Sequence, residues 1–199
     1  MTYRIEPASA PYPESVQVML DKLTPEGEPP LTLFTTLARD ERLFGKFMAG
    51  GLLDRGHLTL RQREIVIDRV TAQCRSEYEW GVHVNYFATH VRLNESELYS
   101  LVHGTHADAC WQDPGERLLI ELCDALHTHC SIGGELWQRL VTVFSDETLL
   151  ELFLLCGFYR TVSYLTNGAK LPLETNGARF PKKETQSGVP QPTFSPARQ

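Results

Sequence analysis

Between Leu149 and Leu165 almost every helical position is apolar: Leu149, Leu150, Leu152, Phe153, Leu154, Leu155, Cys156, Phe158, Tyr159, Val162, Tyr164 and Leu165. A helix without a polar side has to be covered on every side. The whole chain has 199 residues, 42% of them apolar, which is enough for one good core and short for two independent ones. One domain that completes the cover of this helix with further copies of itself is therefore the expectation, and a homo-oligomer follows from it.

The rest of the sequence keeps the helical theme. Thr59 with Gln62, Ser76 with Glu79 and Asn94 with Glu97 each place a capping residue three positions ahead of Glu or Gln, the pattern that satisfies two otherwise unpaired N–H groups at a helix start. Asp113-Pro114-Gly115-Glu116 adds a cap with proline at the first helical position. Apolar residues recur behind these starts at helical spacing, and alternating strand patterns are scarce. The expected fold class is all-α, with helices near 13–23, 30–38, 40–53, 59–74, 76–91, 94–102, 113–129, 132–143 and 146–166. Residues 1–29 are expected as an N-terminal extension, 30–174 as the helical domain and 175–199 as a flexible tail, mobile or draped on a neighbour. That tail is rich in Pro, Gly, Ser and Lys and lacks a sustained apolar period.

Charge narrows the partners. A net charge of −6 without a basic stripe speaks against nucleic acid and against an anionic membrane surface. The N-terminus MTYRIEPASAPYPES has no basic segment followed by an apolar run, and no stretch is read as long enough to span a bilayer. Cysteines stand at Cys74, Cys110, Cys123, Cys130 and Cys156, odd in number and without a Cys-x-x-Cys pair, which fits reduced thiols in a cytoplasmic protein.

The chemistry concentrates between Glu64 and His83, EIVIDRVTAQCRSEYEWGVH, where polar groups recur as Glu-x11-Ser-x2-Glu-x3-His inside an apolar helical pattern. On a helix that begins near Ser76, the side chains of Ser76, Glu79 and His83 fall on one face. An imidazole with its ordinary pKa of about 6.5 gives or takes a proton near neutral pH. Glu79, or Glu64 approaching from the preceding helix, would fix its tautomer and raise its basicity. His83 is thus the candidate proton shuttle, with Glu64, Glu79 and Ser76 as catalytic company. Each also has a structural reading. Ser76 and Glu79 can form a capping box, which is compatible with a site because a helix start favours an anion. His83 fits a satisfied core histidine, and Glu64, near Arg61, Arg63, Asp68 and Arg69, fits a charge-paired face. Tyr78 can donate to an oxyanion and Trp80 can wall the pocket, or both can simply pack.

With its leader LTLRQREIVIDRV (58–70) and the distant run LLELFLLCGFYRTVSYLTNGAKLPLE (149–174), this motif resembles the carboxymuconolactone decarboxylase and alkylhydroperoxidase D superfamily over roughly residues 30–174. The peroxidase branch carries Glu-x11-Cys-x2-Cys-x3-His at the same spacing. Here Ser76 and Glu79 stand in the cysteine places, and Tyr78-Glu79-Trp80 with His83 is similar to the Tyr-Glu-Trp-x2-His branch that lacks the redox pair. The resemblance implies an alkylhydroperoxidase D-like helical domain, assembled as trimers or hexamers, that runs acid–base chemistry without an organic cofactor or metal. It implies a carboxy-lyase like the one that decarboxylates a carboxylated lactone in aromatic catabolism. Loss of carbon dioxide leaves a dienolate; the helix start at Ser76, with Tyr78, would stabilise the negative oxygen, and His83 would deliver the proton. A carboxylated small-molecule substrate would want an arginine, for which Arg69, Arg75 and Arg160 are the candidates. A lyase, isomerase or hydrolase of a small lactone or keto acid suits the same site.

Two rival readings stay open. A thiol-dependent alkyl hydroperoxide reductase with peroxiredoxin-type activity would use Cys74, two places before the first of the family's cysteine positions, but lacks a resolving partner at Glu79. A non-catalytic helical oligomer would use Glu64, Glu79 and His83 as a buried polar network. Cys123, His127 and Cys130 offer thiolate, imidazole and thiolate at i, i+4 and i+7, yet three ligands on one helix rarely close a metal site. Two helical turns, roughly 10 Å, also separate those sulfurs by too much for a disulfide. His103-Gly104-Thr105-His106-Ala107-Asp108 reads as a solvated polar loop.

Overall fold

A computed structural model describes residues 3–183. Its order is α1 (Glu14–Leu23), α2 (Thr32–Leu37), α3 (Glu41–Ala49), α4 (Leu60–Gln73), α5 (Glu77–Phe87), α6 (Glu95–His103), α7 (Pro114–His129), α8 (Gly134–Leu140) and α9 (Asp146–Ala169), with no strand among the described residues. The all-α class holds, and each helix expected from sequence forms. α3 and α5 end four residues early, and α9 runs three residues further.

The centre of the fold is α4, against which α5, α6, α7 and α9 all pack. Every residue from Glu64 to Ala72 is buried, charged ones included, so the charges on α4 must be partnered inside the protein. Arg61 reaches Glu97 at 2.7 Å and Glu116 at 2.6 Å, tying the start of α4 to α6 and α7. Arg69 grips both oxygens of Asp124 on α7, at 2.7 and 3.0 Å, and donates to the carbonyls of Ser100, Leu101 and Gly104 at the end of α6. A smaller core of Val16, Leu20, Ala38 and Phe44 fastens α1 to α3.

Of the capping signals expected from sequence, all but one form. Thr59 with Gln62 and Asn94 with Glu97 make full capping boxes, and Asp113 accepts from the N–H groups of Gly115 and Glu116. The box expected at Ser76 with Glu79 does not form: Ser76 makes no side-chain cap bond, and its Oγ lies 2.8 Å from Thr166 Oγ1 on α9. The cause is the tight turn from α4 to α5. Arg75 adopts a left-handed backbone, φ 55°, while its N–H donates to Ala72 O and the N–H of Ser76 reaches back to Thr71 O. That closure points the serine across the bundle.

α9 is the second correction. By length and composition it is apolar enough to cross a bilayer, against the expectation that no stretch would be. One side packs on α4 and α5, while Leu150, Leu154 and Tyr164 on the other are 62%, 64% and 62% exposed. Residues 171–183, the last nine of them in the segment expected as a flexible tail, run along α5. Ala178 N–H donates to Gly81 O at 3.0 Å, Phe180 N–H to Glu77 Oε1 at 2.9 Å, and the Phe180 ring lies 5.1 Å from that of Trp80. Residues 184–199 fall outside the described residues.

Candidate active site

Glu64 and His83 meet because α4 and α5 are antiparallel neighbours joined by the Arg75 turn. His83 Nδ1 lies 2.7 Å from Glu64 Oε2, and His83 Nε2 lies 3.4 Å from Glu79 Oε1, one helical turn back on α5. Both imidazole nitrogens therefore face a carboxylate. Burial pulls the His83 pKa down, but the hydrogen bonds to Glu64 and Glu79 outweigh it and push the pKa up to about 10. At neutral pH the ring holds its proton and serves as an acid. The other oxygen of Glu64 is held by Arg63, from Nε at 3.0 Å and from the terminal nitrogen at 2.9 Å. Tyr159 meets the imidazole edge-on, with centroids 5.0 Å apart.

Asp68, one turn beyond Glu64, is 1% exposed, and its Oδ1 has no hydrogen-bond partner among the described residues. Burial pushes its pKa well above the carboxylate range; the charge of His83 pulls the other way, and Glu64 and Glu79 add to the rise. Behind the relay, Asp68 is thus shifted toward its protonated form.

The relay opens on a cavity of about 250 Å³, walled by Leu31, Leu33, Phe34, Phe47, Met48, Val82, Phe87, Phe158 and Tyr159, with Glu79 and His83 as its ionisable polar groups besides the tyrosines. Leu23, Thr24, Pro25 and Pro29 also line it, so the segment before residue 30 supplies part of the wall. Among the described residues, no lysine, arginine or cysteine lines it.

The remaining sequence candidates lie elsewhere. Arg69 is engaged with Asp124, Arg75 sits in the turn beside a different surface pocket, and Arg160 donates to the hydroxyl of Tyr164. Tyr78 accepts from the N–H of Leu33 at 2.9 Å and donates to Glu174, so its phenol fixes α2 and the 171–183 segment. Burial, with Glu174, pushes its pKa above the usual phenol range. Trp80 is buried against Phe180, and Ser76 faces Thr166. Cys74 ends α4 half-buried, with its thiol pKa raised by burial against smaller opposing effects of Arg160 and Ser163. Among the described residues no group of three His, Cys, Asp or Glu side chains is placed to hold a metal ion. The spacing of the motif carried no sign of Tyr159, Asp68 or the phenylalanine walls. Tyr159, Phe34, Phe47 and Phe158 reach the site from other helices, Phe87 stands one turn beyond His83 on α5, and Asp68 one turn beyond Glu64 on α4.

No family model matches the sequence, and no curated protein matches it at a significant level. The fold does match solved structures. An uncharacterized peroxidase-related protein from Silicibacter sp. TM1040 superposes with a TM-score of 0.74 at 13% identity, covering 87% of this chain and 92% of its own. An alkylhydroperoxidase AhpD core protein from Ralstonia eutropha JMP134, also an uncharacterized peroxidase-related protein, gives 0.73 at 16% identity, covering 87% and 93%. A protein of unknown function from Agrobacterium tumefaciens gives 0.63 at 17%, covering 69% and 94%. The chain therefore has the all-helical fold of the AhpD-like proteins, without a Cys-x-x-Cys pair at the place where the Glu64–His83 relay stands.

Proposed function

We propose that the protein reduces a small alkyl hydroperoxide with electrons from a dithiol, the His83 relay supplying the proton transfers. The observation that carries this reading is a proton-holding imidazole clamped between two carboxylates on an apolar cavity that no lysine or arginine among the described residues lines. Such a cavity suits an uncharged, apolar molecule. A substrate carboxylate would face Glu79, and the cation beside it, His83, is already paired with Glu64 and Glu79, so the added charge would be poorly compensated, and an uncompensated buried charge is costly. The carboxylated lactone expected from sequence is for that reason not the substrate proposed. The peroxidase-related descriptions of the Silicibacter and Ralstonia proteins favour the same class.

The steps balance without a protein thiol. A sulfur of the dithiol attacks the terminal oxygen of the hydroperoxide; an S–O bond forms, the O–O bond breaks, and Glu79 takes the thiol proton. The departing alkoxide takes a proton from His83 and leaves as the alcohol. The second sulfur then attacks the sulfenic sulfur, forming the S–S bond and releasing water. Proton return from Glu79 to His83 across their 3.4 Å contact restores the relay, and Glu64 keeps the imidazole oriented throughout. Cys74 has no part in this sequence, since it does not line the cavity.

The test is hydroperoxide consumption with dithiothreitol. The wild type should turn over, His83→Gln should lose on the order of 100-fold, and Cys74→Ser should retain the rate. A wild-type rate equal to the uncatalysed one overturns the proposal. One observation favours a second reading, a cofactor-free lyase or isomerase of a neutral lactone or ketone. Tyr159 lines the cavity and meets the His83 ring edge-on, which suits donation of its hydroxyl to an enolate oxygen. The same reading of the molecule takes Leu150, Leu154 and Tyr164 on α9 as the face through which copies of the chain associate.

A further inference from the structure

α9 has a second cavity on its other side. Phe158 and Tyr159 wall the His83 cavity, whereas Phe153, Cys156 and Arg160, roughly half a helical turn around, wall another of about 250 Å³. Cys123 and His127 of α7, Cys130 just beyond its end, and Val70 and Gln73 of α4 also line it. Two thiols meet there: Cys123 Sγ lies 3.9 Å from Cys156 Sγ, the two residues being 33 positions apart in sequence and both buried. All five cysteines are free.

We propose that Cys123 and Cys156 form a second reactive site, a dithiol that a small hydroperoxide entering this cavity oxidises to a disulfide joining α7 to α9. The inference does not rest on the His83 reading, because the two cavities open on opposite sides of α9. The sulfurs must approach by roughly 1.9 Å to reach a bond length of about 2.05 Å, a displacement within the reach of side-chain rotation and a small shift of two adjacent helices.

The roles of the two sulfurs follow from their surroundings. Cys156 is the attacking one: it is the less buried, at 7% against 1%, and Arg160, one turn beyond it on the same face, lines the same cavity. Cys123 keeps its proton, because its hydrogen bond with Cys156 and then its burial push its pKa well up. His127, whose pKa is lowered by burial and by Arg160, lines the same cavity as a neutral base for the Cys156 proton. The thiolate of Cys156 attacks the terminal oxygen of the hydroperoxide, forming S–O as O–O breaks, and the alkoxide takes back from His127 the proton removed from Cys156 and leaves as the alcohol. The sulfur of Cys123 then attacks the sulfenic sulfur of Cys156. The S–S bond forms, and hydroxide departs as water with the Cys123 proton. Two thiols and one hydroperoxide become a disulfide, an alcohol and water.

The experiment uses the full chain carrying Cys130→Ser, which removes the exposed thiol in the same cavity, and one equivalent of tert-butyl hydroperoxide with no dithiol present. Free thiols are then alkylated, and the protein is digested and analysed by mass spectrometry. The expected product is a disulfide between the peptide containing Cys123 and the peptide containing Cys156, formed about 10-fold faster than an equal concentration of free cysteine is oxidised, with Cys74 and Cys110 still alkylated. In Cys123→Ala the reaction should stop at a sulfenic acid on Cys156 that dimedone traps. Alkylation of both Cys123 and Cys156 after free cysteine has been consumed overturns the proposal, and so does a link through Cys74 or Cys110. Because no dithiol is present and a single oxidation is read, a failure of hydroperoxide turnover at His83 leaves this outcome unaffected.

Discussion

α4 and α9 exchange the roles that their compositions suggest. α4 carries Arg61, Arg63, Glu64, Asp68 and Arg69 in 14 residues, yet it is enclosed from Glu64 to Ala72. α9 is apolar on nearly every side, yet it leaves Leu150, Leu154 and Tyr164 facing out. Burial here is decided by place in the bundle, with α4 in the middle of α5, α6, α7 and α9. A polar helix in the middle must bring a partner for each charge, and those partners are what build the site: Arg63 holds Glu64, and Glu64 holds His83. Asp68 Oδ1 is left without one, beside the relay. An apolar helix at the flank needs no such pairing and has a face to spare.

The largest effect should come from breaking the pairing on α4. Glu64→Ala leaves the guanidinium of Arg63 and the protonated His83 without their carboxylate, and removing one partner of a buried ion pair costs about 3–5 kcal/mol. Urea unfolding at pH 7 measures it. A loss under about 1 kcal/mol would mean that solvent, not Glu64, satisfies these charges, and the account of α4 as a helix whose charges must be paired internally would fall.

The next test titrates the same pairing. The folded pKa of His83 is raised from 6.5 to about 10, so the stability contributed by the charged imidazole is fully present below pH 6.5 and is lost as the pH rises through about 10, on the order of 5 kcal/mol in all. Asp68 runs in the same direction: its folded pKa is raised from 3.8, first by burial, so it contributes stability below about pH 4 that is lost as the pH climbs. Unfolding free energy should therefore fall between pH 6.5 and 10 in the wild type, and His83→Gln should flatten that slope. Asp68→Asn should raise stability at pH 8. A slope as steep in His83→Gln as in the wild type would assign the titration to another group.

Local signals made most of this fold legible and left the walls of the site unread. Thr59, Asn94 and Asp113 announce their helices because a cap bond spans three residues. The approach of Glu64 to His83 is also nearly local, since it needs only two helices and the turn between them. Ser76 misleads because the turn hydrogen bonds at Arg75 and a hydroxyl on α9, 90 residues away, override the cap. Arg69 and Tyr78 look like substrate ligands in sequence for the same reason that they are structural here. A buried carbonyl or carboxylate partner 31 to 96 residues away leaves no mark in their neighbourhood. Cys123 and Cys156 are invisible as a pair until α7 and α9 are laid side by side.

A smaller effect is expected where residues 171–183 lie on α5. A Cβ at Gly81 would stand 2.3 Å from the carbonyl oxygen of Ala178, a backbone atom with no rotamer to move, so Gly81→Ala should push the segment off and lose the Ala178 to Gly81 bond. Overpacking of this kind costs about 1–3 kcal/mol. Limited proteolysis should then cut between residues 175 and 183 faster, with a change in Trp80 fluorescence as Phe180 withdraws. Unchanged proteolysis would mean that the contact along α5 does not hold the segment in place.

The smallest change in stability should come from the exposed side of α9, and it separates the two helices most clearly. Leu154 is 64% exposed, so Leu154→Arg removes little that the monomer buries, and its effect on the folded monomer should stay within about 0.5 kcal/mol. A cation in the middle of an apolar contact between copies is a different matter, because each copy would bury an unpaired charge. Light scattering at micromolar concentration should therefore give a multiple of the chain mass for the wild type and the single-chain mass for the variant. If the wild type already runs as one chain, no second copy covers the apolar face of α9. The contrast with α4 then sharpens: a helix whose composition demanded complete burial would be standing half in water, and the reason for its leucines would have to be sought in a partner of another kind.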